Sequence, residues 1–235
     1  LTALRTDAVA GQAFANLTTE ESFFDAYEDL LPNYSSAAAE LAATAIQQGQ
    51  SATTNRIATT RMRDVDHVSV WAQEIGYGVT RTPEDFGLEY RGYGFGLAIG
   101  IDGPLENGAL FGLSTSFVTS EVEQPGRVDG EISASLGQLN AYYGDSMGPI
   151  DLDFVAGLGG GKMSSRRFVN IGPTYEAVAE ADWWAYEGHA TVRASAPNKL
   201  GDDFIVTPYA ALTYVALAEQ GYTETGGGDA IDLDV

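Results

Sequence analysis

The chain has 235 residues, 33 of them acidic and 12 basic, for a net charge of -21. That balance excludes nucleic acid as a partner, because phosphates need Lys and Arg, and it excludes a basic helix lying on anionic lipid. Cysteine is absent, so no disulfide, thiolate metal site or cysteine nucleophile is possible. No run reaches the roughly 18 to 20 apolar residues of a spanning helix. A barrel stays open, because its strands leave no hydropathy peak.

Residues 1–65 read as helical. The chain opens at Leu1 with no signal-peptide pattern, so the N-terminus is expected to be a cut end. Thr18-Thr-Glu-Glu21 has capping-box spacing. Phe23, Phe24, Tyr27, Leu30 and Leu31 follow at helical intervals, and Pro32 stops the run. Ser35 and Ser36 are placed to cap a second helix, from about Ala37 to Arg61. This helix is rich in Ala, Gln and Thr and has no strong apolar stripe. Taken alone, it reads as a solvated linker. Its basic residues Arg56, Arg61 and Arg63 gather at the C-terminal end, which the helix dipole favours.

From His67 a period of two takes over, the signature of strands whose side chains alternate between faces. Eight strands are expected, at about 67–79, 87–102, 109–122, 129–144, 149–163, 176–196, 204–220 and 230–235. In the fifth, Ile150, Leu152, Phe154, Ala156 and Leu158 share a face opposite Asp151 and Asp153. In the second, Tyr93, Phe95, Leu97, Ile99 and Ile101 oppose Gly92, Gly94, Gly96, Ala98 and Gly100. A glycine face fits close approach by another element, such as a helix. In the sixth, Glu187, His189, Thr191 and Arg193 share a face that reads as a wet interior. The fourth strand changes parity between Leu136 and Leu139, so a bulge is expected near Gly137. Pro208 is expected at a rim or bulge. The chain stops inside an alternating segment, so the C-terminus also reads as cut.

Compact turns at 103–108, 145–148 and 197–201 alternate with more varied connections at 79–86, 121–128, 164–175 and 222–229, the third of them longest. Loops sorted this way, on strands longer than the roughly 9 to 11 residues needed to cross a bilayer, fit an up-and-down membrane barrel rather than a Greek-key sandwich. Tyr142, Tyr143, Trp183, Trp184 and Tyr222 gather toward strand ends and read as an aromatic girdle.

Val70-Trp-Ala-Gln73, Gly92-Tyr-Gly-Phe-Gly-Leu-Ala-Ile-Gly-Ile-Asp102, Gly112-Leu-Ser114, Thr207-Pro-Tyr-Ala-Ala-Leu-Thr-Tyr214 and Tyr222-Thr-Glu-Thr-Gly-Gly227 lie in sequence along this tract. They are preceded by Phe24-Asp-Ala-Tyr-Glu-Asp-Leu-Leu-Pro-Asn-Tyr34. In order and spacing the chain resembles the autotransporter β-domain, the translocator barrel of type V secretion. The resemblance implies an all-β, antiparallel, up-and-down transmembrane β-barrel of the twelve-stranded kind, with about eight strands present here. It implies a linker segment at 1–65 whose helix threads the lumen, and a barrel domain at 66–235. It further implies the outer membrane of a Gram-negative bacterium, an N-terminal passenger exported to the cell surface, and contacts with outer-membrane lipid, lipopolysaccharide and the outer-membrane assembly machinery. Neither enzymatic activity nor a cofactor nor a metal is expected. A porin-like channel and, less well matched, a soluble β-sandwich adhesin are the alternatives.

Within such a barrel, Asp102, Asp151 and Asp153 are expected on the lumen face near the periplasmic strand ends, level with Arg56, Arg61 and Arg63, and pairing between them is expected to hold the helix in the pore. Glu187 and His189, two apart on one face, read as polar lumen residues because no nucleophile or third ligand accompanies them. Asp202 and Asp203 read as a solvated turn. Some family members cut their own linker at an Asn, but Asn33 and Asn55 form no Asn-Asn pair, so self-cleavage is not expected.

Overall fold

The computed structural model describes residues 8–30, 37–63, 66–82, 89–124, 130–200, 204–228 and 231–234. Three helices come first: α1 (Ala8–Ala15), α2 (Glu20–Asp29) and α3 (Ala37–Arg63). The strands follow: β1 (Ser69–Arg81), β2 (Tyr90–Pro104), β3 (Leu110–Gln124), β4 (Gly130–Met147), β5 (Ile150–Ile171), β6 (Tyr175–Ser195), β7 (Asn198–Leu200), β8 (Phe204–Val206) and β9 (Tyr209–Glu219). Seven of them form one antiparallel sheet in the order β1-β2-β3-β4-β5-β6-β9, each strand beside its predecessor, while β7 and β8 pair only with each other. The result is a transmembrane-barrel wall with up-and-down connectivity. No described helix is long and apolar enough to cross a membrane.

Alternation sets the two faces. Along β2, Tyr93, Phe95, Leu97, Ile99 and Ile101 are exposed on the outside, while Tyr90, Ala98 and Asp102 are buried on the inside. In water this outer face would be an aggregation surface; against lipid tails it is at home. Leu97 sits mid-strand on this face. Leu97→Arg should therefore destabilise the protein by about 2–4 kcal/mol in lipid vesicles, read as a lower denaturant midpoint; an unchanged midpoint would mean that this face does not meet lipid.

The inner face is covered by α3. Its 27 residues span about 40 Å at 1.5 Å each, more than the roughly 30 Å of bilayer hydrocarbon. The solvated-linker reading of this helix is overturned, because Ala37, Leu41, Ala42, Ala45, Ile46, Ala52 and Ile57 are buried against Trp71, Val118, Leu136 and Tyr142 of the wall. Small residues let the helix lie close, and its polar Gln50, Thr53 and Thr60 are buried too.

Several expected details change. The cap of α2 is Thr19 rather than Thr18: the Ser22 N–H donates to Thr19 Oγ1 at 3.1 Å. The β3–β4 and β4–β5 pairings run through Gly137 without a bulge. Leu136 and Leu139 simply face opposite ways, Leu136 inward under α3 and Leu139 outward. The connection expected to be longest is short: β5 runs to Ile171, and a single 3-10 turn, Gly172–Thr174, with Gly172 at φ +62°, leads into β6. The seventh predicted strand is divided at Thr207 and Pro208, which form the break between β8 and β9. Pro208 has no N–H to give to a ladder; its carbonyl accepts from the Ala196 N–H at 3.0 Å.

The eighth predicted strand, at 230–235, does not form among its described residues, where Asp234 makes only an isolated bridge to Thr223. The described sheet therefore has seven strands where about eight were expected. Ser35, Ser36, Pro32, Asn33, Asp202 and Asp203 lie outside the described residues.

The glycine face of β2 is filled from the side rather than by α3. A Cβ on Gly94 would meet the Tyr77 ring at 2.3 Å, and one on Gly100 would meet Trp71 at 2.6 Å. Both aromatics come from β1 and lie across their neighbour, which requires residues without side chains beneath them.

Candidate functional site: the helix-filled inner face

Helix α3 is attached to the wall at three levels. At its N-terminal end, on the loop side, Glu40 accepts from Arg81 Nη1 at 2.8 Å and from the Tyr90 hydroxyl. Arg81 and Glu40 are both half in solvent, so this pair contributes little, about 0–1 kcal/mol.

The middle level is neutral on the helix side. Gly49 faces β3 and β4 so closely that a Cβ there would stand 1.9 Å from Gln138 Oε1 and 2.6 Å from Ser116 Oγ. The Gln138 amide donates to the Ile46 carbonyl at 3.3 Å and to Glu187 Oε1 at 3.1 Å, while its own oxygen accepts from Ser116 at 2.9 Å. One turn on, Thr53 and Ser114 hydroxyls are 3.0 Å apart. Glu187 Oε2 lies 2.9 Å from His189 Nδ1, and both side chains are buried. Arg193 packs over the Tyr209 ring at 4.5 Å from its centroid.

At the foot, on the side of the short turns, the charges converge. Arg56 donates from Nε to Asp102 Oδ2 and from Nη2 to Asp102 Oδ1, both at 2.7 Å. Asp102 also accepts from Ser69 at 2.9 Å and from the Tyr142 hydroxyl at 2.7 Å. The Trp71 indole donates to that hydroxyl at 2.8 Å. Asp102 thus accepts from α3, β1 and β4 while sitting on β2. This carboxylate is fully enclosed, and the bidentate fork satisfies it in the geometry that gives charge-assisted bonds their strength. Farther along α3, Arg61 Nη2 donates to Asp153 Oδ1 at 2.8 Å and to the Asp145 carbonyl at 3.4 Å, and its Nε lies 3.6 Å from Asp151. Asp151 also accepts from Ser146 at 2.7 Å.

Arg56, Arg61, Asp102, Asp151 and Asp153 therefore meet at the foot. The side chain of Arg63 lies outside the described residues. Glu187 and His189 share the inner face but lie at the middle level. Asn55 is on α3 and exposed. The girdle assignment needs correction for three residues. Tyr142 and Trp183 are buried on the inner face, and Tyr222 stacks on Trp183 with ring centroids 4.5 Å apart. That burial pushes the Tyr222 hydroxyl pKa up, with Glu224 and Glu219 adding to the effect. In each adjacent pair, 142–143 and 183–184, alternation sends one ring inward, so both cannot serve the lipid boundary. Trp184 is the exposed member of its pair, and Tyr143 packs near Phe154.

Sequence reasoning missed Gly49, Gln138, Ser69 and Trp71 as parts of the site. Only Gly49 carried a signal, as a lone glycine within an Ala-rich helix.

Among the described residues no group of three or more His, Cys, Asp or Glu is arranged to hold a metal ion. Polar groups of the inner wall meet α3 at its middle and its foot. No curated protein matches the chain. The family model described as the autotransporter beta-domain does match it, over residues 70–235, from the second residue of β1 onward. A wall of long antiparallel strands around a pinned helix is the architecture that this match leads one to expect, and the chain belongs to the autotransporter beta-domain family.

Proposed function

We propose that this chain is the translocator of an autotransporter: it anchors in the Gram-negative outer membrane and supports export of a passenger attached ahead of residue 1. On this reading residues 1–65 are the linker at the end of the passenger and 66–235 belong to the barrel. The observation that carries the proposal is the position of α3, which runs along the inner face with its N-terminal end at the loop side and its C-terminal end at the turn side. In outer-membrane barrels short turns face the periplasm and longer loops the exterior. A chain that leaves α3 toward its N-terminus therefore leaves toward the cell surface. The same helix disfavours a porin-like channel, since it fills the face that would line a water path. Outer-membrane lipid and lipopolysaccharide around the outer face, and the assembly machinery during insertion, are the partners such a barrel requires; Tyr143 and Trp184 are the girdle residues that its outer face retains. The domain needs neither cofactor nor catalytic residue for this work.

The test is display. An epitope placed ahead of Leu1 in the full-length protein should be removed by protease added to intact cells. An epitope cleaved only after the outer membrane is breached would contradict the proposed direction.

A further inference from the structure

A second buried charge cluster lies away from the pore foot, at the loop-side end of β5. Arg167 points inward there and is almost completely buried, as is Glu224. Its guanidinium donates from Nε to Glu224 Oε1 at 3.2 Å and from Nη2 to Glu224 Oε2 at 2.5 Å. Nη1 donates to the carbonyl of Asp29, the last residue of α2, at 2.7 Å, and Nη2 to the carbonyl of Ile231 at 2.8 Å. Segments far apart in sequence therefore meet on one side chain. The Asp29 carboxylate returns a bond to the wall by accepting from the Asn170 N–H at 3.0 Å, and Glu224 Oε2 also accepts from the Leu233 N–H at 3.1 Å. An apolar layer lies beside the charges, with Ala10 and Ala13 of α1 and Ala26 of α2 packed with Val169, Ile171 and Ile231.

The position of this cluster is informative. The last carbonyls of a helix lack intrahelical donors and favour a cation, so the end of α2 and a buried arginine satisfy each other. The grip on α3 does not use Arg167, and the end of β5 that carries it meets α1 and α2 instead. The parts can assemble only when residues 8–30 stand on the loop side. We propose that Arg167 is a positioning residue that clamps α1 and α2 onto the outer rim of the barrel, so that the end of the passenger is retained at the cell surface. The proposal rests on the translocator reading for which side is outside. Lysine cannot replace Arg167, because a point charge on a flexible stem does not span Glu224 and two carbonyls as the planar fork does.

This chain contains no cysteine, so a single thiol introduced into it reports cleanly once any cysteine of the full-length protein outside it is replaced by serine. Ala26→Cys places one in the layer between α2 and the end of β5. In the full-length protein its reaction with a membrane-impermeant maleimide should be slow, and about tenfold faster or more when Arg167→Met is added, as expected when a charge-assisted contact is lost from a local opening equilibrium. Arg167→Lys should not restore slow labelling. A Thr53→Cys thiol in the lumen should label at an unchanged rate, and heat-modifiable migration should persist, which separates release of the clamp from general unfolding. If Arg167→Met does not assemble, Glu224→Gln must give the same acceleration. Equal labelling with and without the clamp residues would overturn the proposal. The comparison is repeated in detergent, where sidedness is irrelevant: acceleration there combined with labelling only from the periplasmic side in cells would keep the clamp and reject the direction of export.

Discussion

Arg56→Met should open the pore and destabilise the protein. The substitution keeps a similar length of aliphatic side chain but removes both bonds to Asp102. Asp102 is left on the inner wall with the Ser69 and Tyr142 hydroxyls as its remaining partners. Breaking one side of an enclosed ion pair costs about 3–5 kcal/mol, more than the roughly 0–1 kcal/mol of the half-solvated Glu40–Arg81 contact at the other end. Among the described ion pairs at the helix foot, those of Arg61 then remain, and Arg61 is more exposed than Arg56 and spreads its charge over Asp153 and Asp151. The expected result in planar bilayers is frequent opening of the full-length protein where the parent is mostly closed, together with a lower unfolding midpoint. Unchanged conductance would show that the ion pair does not hold the helix. Asp102→Asn should have a smaller effect on conductance than Arg56→Met, because the amide oxygen can still accept from Arg56 and no unpaired anion remains.

Gly49→Val should dislodge the middle of the helix. Glycine in a helix interior ordinarily costs about 1 kcal/mol relative to alanine, so replacing it would stabilise a solvated linker. Here the sign reverses. A Cβ would stand 1.9 Å from Gln138 Oε1. Gln138 is not free to swing aside without giving up its bonds to Ser116, the Ile46 carbonyl and Glu187. Overpacking of this kind costs about 1–3 kcal/mol, and β-branching adds a helix penalty. Loss of several buried hydrogen bonds should bring the total toward the upper end of that range. Denaturant titration of the reconstituted protein measures it. A variant as stable as the parent, or more so, would mean that the helix does not contact β3 and β4 at this point.

Much of the wall was legible because membrane strands are long and their outer residues are large. The faces of β2 follow directly from Tyr93, Phe95, Leu97, Ile99 and Ile101 against glycine. The foot of the site was legible because its charges cluster: Arg56 and Arg61 on one side, Asp102, Asp151 and Asp153 on the other. The rest failed for identifiable reasons. Leu136 and Leu139 are both apolar, and alternation alone cannot show that one meets a helix and the other lipid. The same ambiguity misplaced Tyr142 and Trp183, since an aromatic suits a membrane boundary and equally suits the space above a glycine of the next strand. A Cβ on Gly112 would meet Tyr142 at 2.3 Å, a pairing between β3 and β4 that local sequence does not announce. The Arg167 cluster depends on α2, β5 and the segment after β9, and no local pattern joins those three. The α3 helix was misread in isolation because its buried residues are mostly alanines and threonines, which suit a close approach to a polar wall and carry little hydropathy.

The most direct test of the central claim, that α3 lies inside the wall, uses the absence of cysteine from the chain. Thr53 and Ser114 have hydroxyls 3.0 Å apart, close enough for a disulfide between cysteines at the two positions. In the full-length protein, with any cysteine outside this chain replaced by serine, Thr53→Cys with Ser114→Cys should form that bond on mild oxidation, while Asn55→Cys with Ser114→Cys should remain reduced, because Asn55 is exposed on α3 and faces away from the contact that Thr53 makes. A cross-link in the first pair alone is the predicted result. Free thiols in both pairs would contradict a helix seated against β3.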